Sequence, residues 1–283
     1  MATQSRGESM MSDWQDYVGK TETRTDRAEP RLIEGLAATL DMETPTGDLP
    51  PLWHWMFFQD WRRPGEVGPD GHPKRGGFLP PVHHLPRRMW AGGRLTFHSG
   101  IRADDALTRH SSISAISTKS GSSGELVFVT VAHTLQGPRG LVLEEEHDIV
   151  YRGADGAAVK PGAVAAVDPA EVVRVTMPDA LMLFRYSALT GNGHRIHYDM
   201  PYVTGDEGYP GLIVHGPLQA TLLAAHGLAN APGSLRSFSF RGLRPAFAGR
   251  ALSLHALTHD GTGALESRDA EGVTCMKAEA LLV

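Results

Sequence analysis

A short glycine-containing turn delivers several polar side chains in the second half of this 283-residue chain. The turn covers residues 190–193 (TGNG), and His194, His197 and Asp199 follow it directly. Histidine has an ordinary pKa close to neutrality, so it serves both in proton transfer and as a metal ligand. These residue types at this spacing therefore predict acid–base chemistry or metal binding on one loop.

A metal site would draw its ligands from His194, His197, Asp199 and His215. In metalloproteases the two zinc-binding histidines stand four residues apart on a helix, with a glutamate beside the first. Here His194 and His197 are three residues apart in a glycine-rich loop. The sequence has one cysteine, Cys275, which excludes a zinc–thiolate cluster and is interpreted as a core residue. We therefore predict that no metal is bound.

An apolar run after the loop predicts a buried helix. Leu218, Leu222, Leu223 and Ala225 recur at helical spacing. Pro217 suits the first turn, where its missing N–H removes no intrahelical bond. The histidine loop is therefore expected to face the N-terminus of this helix.

Composition excludes several classes of function. The net charge is −5 and no long basic run is present, so nucleic acid is an unsuitable partner. No stretch approaches about 18 consecutive apolar residues, so no membrane span is expected. The first residues lack the apolar segment of a secretory signal, and a single cysteine fits a reducing compartment, so we expect a cytoplasmic protein.

The first half reads as a mixture of helices and strands. Helices are predicted over 30–40 and over the aromatic stretch 52–61, and residues 62–81 form a long loop of the kind that binds ligands. Residues 1–12 read as disordered. The predicted strands are 94–100, 109–120, 126–135 and 141–152, with a hairpin turn at 121–124.

The second half repeats this order of elements. Its predicted strands are 235–243, 251–258 and 272–283. Residues 90–98 (WAGGRLTFH) match residues 247–255 (FAGRALSLH) at the aromatic, Ala-Gly, leucine, hydroxyl and histidine positions. This predicts a duplicated α+β protein in which antiparallel strands wrap one long apolar helix in each unit. The expected domains are 13–152 and 172–283, joined by a linker over 153–171.

The loop and helix together resemble the MaoC-like, or hydratase 2, family of hotdog-fold enzymes. That family has a motif of roughly aromatic-x-Ser-Gly-Asp-x-Asn-Pro-x-His ahead of a central helix. Here Ser187 precedes GNGHRIH at 191–197. The segments LWHWMFFQDW, GGFLPPVHHLPRRMWAGG and LVFVTVAHTLQG are similar to a subfamily that hydrates branched C4-dicarboxylic enoyl-CoA thioesters. The resemblance implies a double-hotdog fold, with a substrate-binding first half and a catalytic second half.

The same resemblance implies a hydro-lyase that reversibly converts 3-methylfumaryl-CoA (mesaconyl-C4-CoA) or itaconyl-CoA to citramalyl-CoA. Coenzyme A is then part of the substrate, no cofactor is expected, and a homodimer is compatible with the fold. Three alternatives use the same fold. They are a (3R)-hydroxyacyl-thioester dehydratase of fatty acid synthesis, an acyl-CoA thioesterase and a non-enzymatic acyl-CoA-binding protein.

Residue roles follow from the motif. His197 falls on the motif histidine and is the expected general base. Asn192 stands in place of the motif aspartate, so it would orient water or the thioester rather than act as a base. Asp199 either supplies the missing carboxylate or caps the local turn. The amide of Gly216, at the helix N-terminus, is the expected oxyanion donor, while His215 is expected to be packed.

Substrate-binding residues are assigned on the same basis. His194 takes the place of the motif asparagine and would keep its positioning role. Arg195 replaces the motif proline, and it either clamps a substrate carboxylate or lies solvated at the surface. The candidates for the coenzyme A phosphates are Arg87, Arg88, Arg241 and Arg244.

Overall fold

The computed structural model describes residues 14–121, 124–154, 162–231 and 233–283. Within these residues, ten strands pair antiparallel in one sheet. The strands are β1 (Thr21–Arg27), β2 (Arg87–Phe97), β3 (Ala106–Gly121), β4 (Gly124–Gly137), β5 (Gly140–Arg152), β6 (Val172–Thr176), β7 (Leu235–Gly242), β8 (Leu252–His259), β9 (Thr262–Arg268) and β10 (Thr274–Leu282).

The helices lie mainly in the second half of the described chain. They are α1 (Pro30–Thr39), α2 (Ala180–Thr190), α3 (Met200–Gly205) and α4 (Gly216–Ala229), with single 3-10 turns at Trp53–Met56, Pro64–Glu66 and Arg195–His197. α1 and α4 confirm two predicted helices, and Pro217 lies in the first turn of α4 as expected. None of the described helices combines the length and apolar character that crossing a bilayer requires.

The sheet has one half from each part of the chain. The strand order is β1-β3-β4-β5-β2-β7-β10-β9-β8-β6, so β2 and β7 pair at the centre, with Leu95 opposite Phe238. The predicted α+β class and the duplicated strand set are confirmed. The domain limits 13–152, 153–171 and 172–283 stay predictions, and residues 13 and 155–161 lie outside the described chain.

The sequence match used to predict the duplication is wrong in register. Since β2 and β7 are the innermost strands of their halves, β7 is the counterpart of β2. The match instead paired residues 90–98 with 247–255, which lead into β8. Ala91-Gly92 lies at a register shift inside β2, whereas Ala248-Gly249 lies in the turn before β8, so the shared small residues did not identify equivalent strands.

The predicted helix over 52–61 is also wrong. Leu52 and Phe58 have φ angles of 71° and 59°, in the left-handed region, and only the 3-10 turn Trp53–Met56 forms between them. Trp53, Phe57 and Phe58 are buried as expected and Trp55 is half-buried, whereas Trp61 is 74% exposed. In the described residues of the first half the longest helix is therefore α1, and no long central helix matches α4 there.

Strand predictions were closer than helix predictions. β3, β4 and β5 match the predicted ranges within a few residues, while β2 begins at Arg87 rather than at residue 94, and β1, β6 and β9 were not predicted. The long loop over 62–81 is confirmed apart from its short 3-10 turn. The expected disorder over 1–12 and the centre of the 121–124 hairpin lie outside the described residues.

α4 forms the core of the second half. It packs against β8, β9 and β10, and Leu218, Ala220 and Leu223 are fully buried. Truncation of such a buried leucine typically costs about 2–5 kcal/mol, so this packing holds the helix N-terminus in a fixed place.

Candidate active site

A tight turn after α2 brings His197 into a buried position. Gly191 ends α2 with φ at 62°, a left-handed conformation that glycine adopts without a Cβ penalty. The Asn192 side chain then accepts a hydrogen bond from the amide of His194 at 3.0 Å. A 3-10 turn over Arg195–His197 follows, and it points the His197 ring inward.

The hydrogen bonding of His197 fixes its tautomer. Nδ1 lies 2.7 Å from the carbonyl oxygen of Ile213, which can only accept, so Nδ1 carries the hydrogen and donates it. In the neutral ring Nε2 is then the proton acceptor. Burial lowers the pKa of His197 to about 4, although the bond to Ile213 opposes the shift. At neutral pH His197 is therefore an uncharged base.

The ring of His215 packs against one face of the His197 ring. The two rings stack with centroids 3.6 Å apart and planes 19° apart. His215 is fully buried, and its Nε2 lies 2.8 Å from the hydroxyl of Ser187. Burial holds the pKa of His215 well below its usual range. His215 is thus a neutral packing partner, as the sequence indicated.

Gly216 begins α4 immediately after His215. The first turn of a helix leaves its amide hydrogens without intrahelical acceptors, and the helix dipole places partial positive charge there. A Cβ on Gly216 would meet nothing closer than the carbonyl oxygen of Trp90, at 3.8 Å. The protein's own packing does not require a glycine here, and the space beside it belongs to the cavity.

One cavity of 1320 Å³ connects these groups. His197, Asn192 and Gly216 line it from the second half, while Arg88 and Trp90 line it from β2 of the first half. The expected base and the expected oxyanion donor therefore share one cavity. The first half, which lacks a long central helix in its described residues, supplies part of the cavity wall.

His194 also lines the cavity. Its ring meets the His197 ring edge to face, with centroids 5.6 Å apart and planes 88° apart. Burial is the main cause that holds its pKa well below the usual range. The predicted positions of His194 and Asn192 next to the base agree with this geometry, while their roles stay predictions.

Arg195 and Asp199 are placed differently from the catalytic expectation. Arg195 Nη2 lies 2.8 Å from Asp199 Oδ2, and the guanidinium stacks on the ring of Tyr202. Asp199 also accepts the Tyr202 amide at 3.1 Å, which makes it the N-cap of α3. Neither residue lines the cavity. Asp199 is therefore a helix cap, and Arg195 lies at the surface, as the second of the two alternatives for each residue predicted. The ion pair between them satisfies both charged groups.

The four arginines expected at the coenzyme A phosphates fall into two groups. Arg88 and Arg244 line the cavity. Arg87 does not, since its Nε forms a salt bridge at 2.9 Å with Glu207, and Arg241 is exposed on β7 outside the cavity wall. Arg87 and Arg241 thus lie outside the cavity, and the coenzyme A role of all four arginines stays a prediction.

Sequence reasoning missed two site residues on the long first-half loop. His72 Nδ1 donates to Asp70 Oδ2 at 3.0 Å, and the His72 ring lies 4.2 Å from the ring of His194. The loop is fixed on the histidine turn because the Arg195 amide donates to the Asp70 carbonyl at 2.9 Å. A Cβ on Gly71 would overlap the carbonyl of Gly193. The Asp-Gly-His sequence inside a predicted binding loop was the available signal.

Asp70, His72 and His194 also carry donor atoms within 4.8 Å of one another, a separation that could hold a metal ion. The carboxylate of Asp70 is already engaged, since Oδ1 accepts the His72 amide and Oδ2 accepts the His72 ring N–H. Burial lowers the pKa of His72 to about 4, so this ring is neutral at pH 7. We interpret the three residues as a hydrogen-bonded group, and the absence of a metal stays a prediction.

A buried carboxylate lies behind the first-half part of the cavity wall. Glu145, only 5% exposed, accepts from His54 Nε2 at 3.0 Å and from Trp55 Nε1 at 2.7 Å, and it also contacts His147. The neighbouring histidines hold the pKa of Glu145 well below its usual range despite burial, so it is ionised. His147 in turn lines the cavity beside Trp90, with ring centroids 4.0 Å apart. Glu145 therefore orients a cavity wall.

Comparison with known proteins shows the family of this chain. The family model described as Hydroxyacyl-thioester dehydratase type 2 matches residues 52–248. A mesaconyl-C(4)-CoA hydratase from Chloroflexus aurantiacus is 42% identical over 275 residues, covering 94% of this chain and 97% of the relative. The chain therefore belongs to the hydroxyacyl-thioester dehydratase type 2 family. The mitochondrial hydroxyacyl-thioester dehydratase type 2 of Schizosaccharomyces pombe is 27% identical and covers 78% of this chain and 85% of its own.

Solved structures give the fold. A MaoC-like dehydratase from Phytophthora capsici superposes with a TM-score of 0.70 at 15% identity, covering 94% of this chain and 95% of its own. A Mycobacterium tuberculosis protein described as having a double hotdog fold superposes with a TM-score of 0.55 at 14% identity, covering 94% and 96%. These structures confirm the predicted double-hotdog fold. The family match and the 42% identical relative confirm the MaoC-like resemblance, and the protein is a hydratase/dehydratase-type enzyme.

Proposed function

We propose that the protein adds water reversibly to a branched C4-dicarboxylic enoyl-CoA thioester, 3-methylfumaryl-CoA, and forms citramalyl-CoA. The observation that carries the proposal is the shared cavity of His197 and the N-terminus of α4. The acyl group is inferred from the relative that is 42% identical and is named for this thioester.

The first step is activation of water. His197 Nε2 accepts a proton from a water molecule, and the resulting hydroxide attacks the β-carbon of the double bond. Nδ1 keeps its bond to the Ile213 carbonyl, which stabilises the imidazolium that forms. His197 then returns the proton to the α-carbon, so that one water is added and the enzyme is regenerated. Asn192, at the cavity wall, orients the water.

The negative charge that develops on the thioester oxygen needs hydrogen-bond donors. The amide of Gly216 lies at the positive end of α4 and borders the cavity. Pro217 has no N–H to offer, so Gly216 is the donor we assign. Loss of one such donor typically costs about a hundredfold to a thousandfold in rate.

The size of the cavity suits a long thioester. Pockets for small ligands typically have volumes of about 300–1,000 Å³. The 1320 Å³ cavity exceeds that range, which fits an acyl group with part of its pantetheine arm. Arg244, at the cavity wall, and Arg241, outside it, are the candidates for the coenzyme A phosphates.

An assay of enoyl-thioester absorbance tests the proposal. The wild-type protein is incubated with 3-methylfumaryl-CoA and, in parallel, with crotonyl-CoA, and the loss of conjugation is followed. We expect hydration of 3-methylfumaryl-CoA to be the faster reaction. Equal or faster turnover of crotonyl-CoA would instead favour the (3R)-hydroxyacyl-thioester dehydratase alternative, which the fission yeast relative represents.

The remaining alternatives have their own readouts. A thioesterase would release free coenzyme A, which a thiol reagent detects. A non-enzymatic acyl-CoA-binding protein would bind both thioesters without any absorbance change. We further propose a cytoplasmic location and a homodimer, which cell fractionation and light scattering respectively would test.

A further inference from the structure

We propose that Arg88 binds the free carboxylate of the C4-dicarboxylic acyl group and so selects this class of substrate. The inference rests on the proposed hydration of such a thioester. It gives Arg88 the role that the sequence suggested for Arg195, whose guanidinium is instead paired with Asp199 outside the cavity.

The chemistry of the substrate sets the place where this carboxylate must lie. In 3-methylfumaryl-CoA the free carboxylate is bonded to carbon 3, the carbon that receives the hydroxyl group. Its position is therefore next to the water that His197 activates. A carboxylate that leaves bulk water for a cavity needs a charged or hydrogen-bonding partner there.

Arg88 lies in the first-half part of the same cavity wall. It lies on β2 opposite Tyr151, it is half-buried, and its side chain borders the same cavity as His194 and His197. The positive charge of Arg88 is among the causes that lower the pKa values of both His72 and His194. The guanidinium is thus close to the group of rings that contacts the base.

The other arginines at the cavity wall have partners within the protein. These pairs are Arg24 with Glu22, Arg62 with Asp60, Arg75 with the carbonyl of Leu85, Arg152 with the hydroxyl of Tyr209 and Arg244 with Asp269. Three of the cavity arginines, Arg88 among them, form no salt bridge within the described residues, and the other two, Arg75 and Arg152, donate to protein oxygens. The polar neighbour of Arg88 is the neutral hydroxyl of Tyr151, so no carboxylate pairs with the Arg88 charge. A guanidinium can hold a carboxylate through two parallel N–H bonds, and Arg88 keeps that capacity for a ligand.

Two thioesters with saturated acyl groups test binding alone, because they have no double bond that the enzyme could hydrate. Succinyl-CoA carries a free carboxylate on a four-carbon acyl group, and butyryl-CoA has a methyl group in its place. Their dissociation constants are measured by calorimetry for the wild type, Arg88→Gln and Arg94→Gln. Arg94 is the matched control because it lies on the same strand and is paired outside the cavity with Glu146 and Asp148.

We expect the wild type and Arg94→Gln to bind succinyl-CoA at least about tenfold more tightly than butyryl-CoA, and Arg88→Gln to bind the two alike. With 3-methylfumaryl-CoA, kcat/KM of Arg88→Gln should fall about a hundredfold, because truncating one partner of a buried charge pair leaves the other unpaired. A wild-type preference for succinyl-CoA that survives in Arg88→Gln would overturn the proposal, as would an equal loss in Arg94→Gln.

Arg88→Lys covers the case in which Arg88→Gln does not fold. Lysine keeps the positive charge but cannot form the two parallel N–H bonds of a guanidinium, so the preference for succinyl-CoA should shrink without vanishing. An unchanged preference would contradict the proposal. The two proposals fail separately. If the wild type hydrates 3-methylfumaryl-CoA and Arg88→Gln retains its selectivity, only the assignment of Arg88 fails. If the wild type hydrates no enoyl-CoA, the proposed function itself fails.

Discussion

The rings of His197 and His215 stack face to face with centroids 3.6 Å apart, and of the two only His197 lines the cavity. Two imidazolium ions in contact would repel each other, so the pair is held neutral. His215 bonds to Ser187 and is fully buried, while His197 commits Nδ1 to Ile213. The stack therefore presents Nε2 of His197 as a base and keeps it in one orientation.

The Gly216→Ala variant tests whether the protein needs a glycine at this position for substrate to approach or for its own packing. A Cβ at this position meets the Trp90 carbonyl at 3.8 Å, which is ordinary contact, so the melting temperature should change by less than about 2 °C. The methyl group would keep the thioester oxygen from the helix amide, and kcat/KM should fall about a hundredfold. Thermal unfolding and steady-state kinetics on one preparation check both halves of the prediction. Wild-type kinetics in the alanine variant would remove Gly216 from the oxyanion site.

The Asn192→Asp and Asn192→Ala variants test two roles of this side chain, which are holding the turn and orienting the water. An aspartate still accepts the His194 amide, so the turn should hold its shape, whereas alanine loses that bond at a cost of about 1 kcal/mol. We expect the aspartate variant to retain about tenfold more activity than the alanine variant, because it can still orient water. Equal kcat values for the two variants, with equal unfolding free energies, would show that Asn192 serves neither purpose.

Protein stability should depend on pH through His197. Burial lowers its pKa from an ordinary value of 6.5 to about 4, so the unfolded chain binds a proton in a range where the folded protein does not. The contribution to stability is complete above about pH 6.5 and is lost as the pH falls towards 4, on the order of 3 kcal/mol. Urea unfolding at pH 7, 5.5 and 4.5 measures this loss.

The matched variant for the pH experiment is His197→Gln, which cannot titrate. Its unfolding free energy should fall less steeply than that of the wild type between pH 6.5 and 4.5. Parallel slopes would mean that other groups, such as the buried His194 and His215, account for the whole effect.

Local signals in the sequence predicted the parts of the site that form locally. The TGNG turn and the proline-started helix depend on neighbouring residues, and both are present where expected. The helix over 52–61 failed because Leu52 and Phe58 take left-handed conformations that the tertiary structure imposes. Asp70 and His72 were missed because their contact with the histidine turn joins two distant parts of the chain. No periodicity encodes such a contact.

The central claim is that His197 takes the proton from water, and one kinetic comparison tests it directly. The initial rate of hydration of 3-methylfumaryl-CoA is measured for the wild type and His197→Ala, with thermal unfolding to establish that both are folded. We predict a loss of at least about a hundredfold in kcat, the scale of one acid–base group. A folded His197→Ala variant that keeps kcat within about threefold of the wild type would contradict the proposed role of His197.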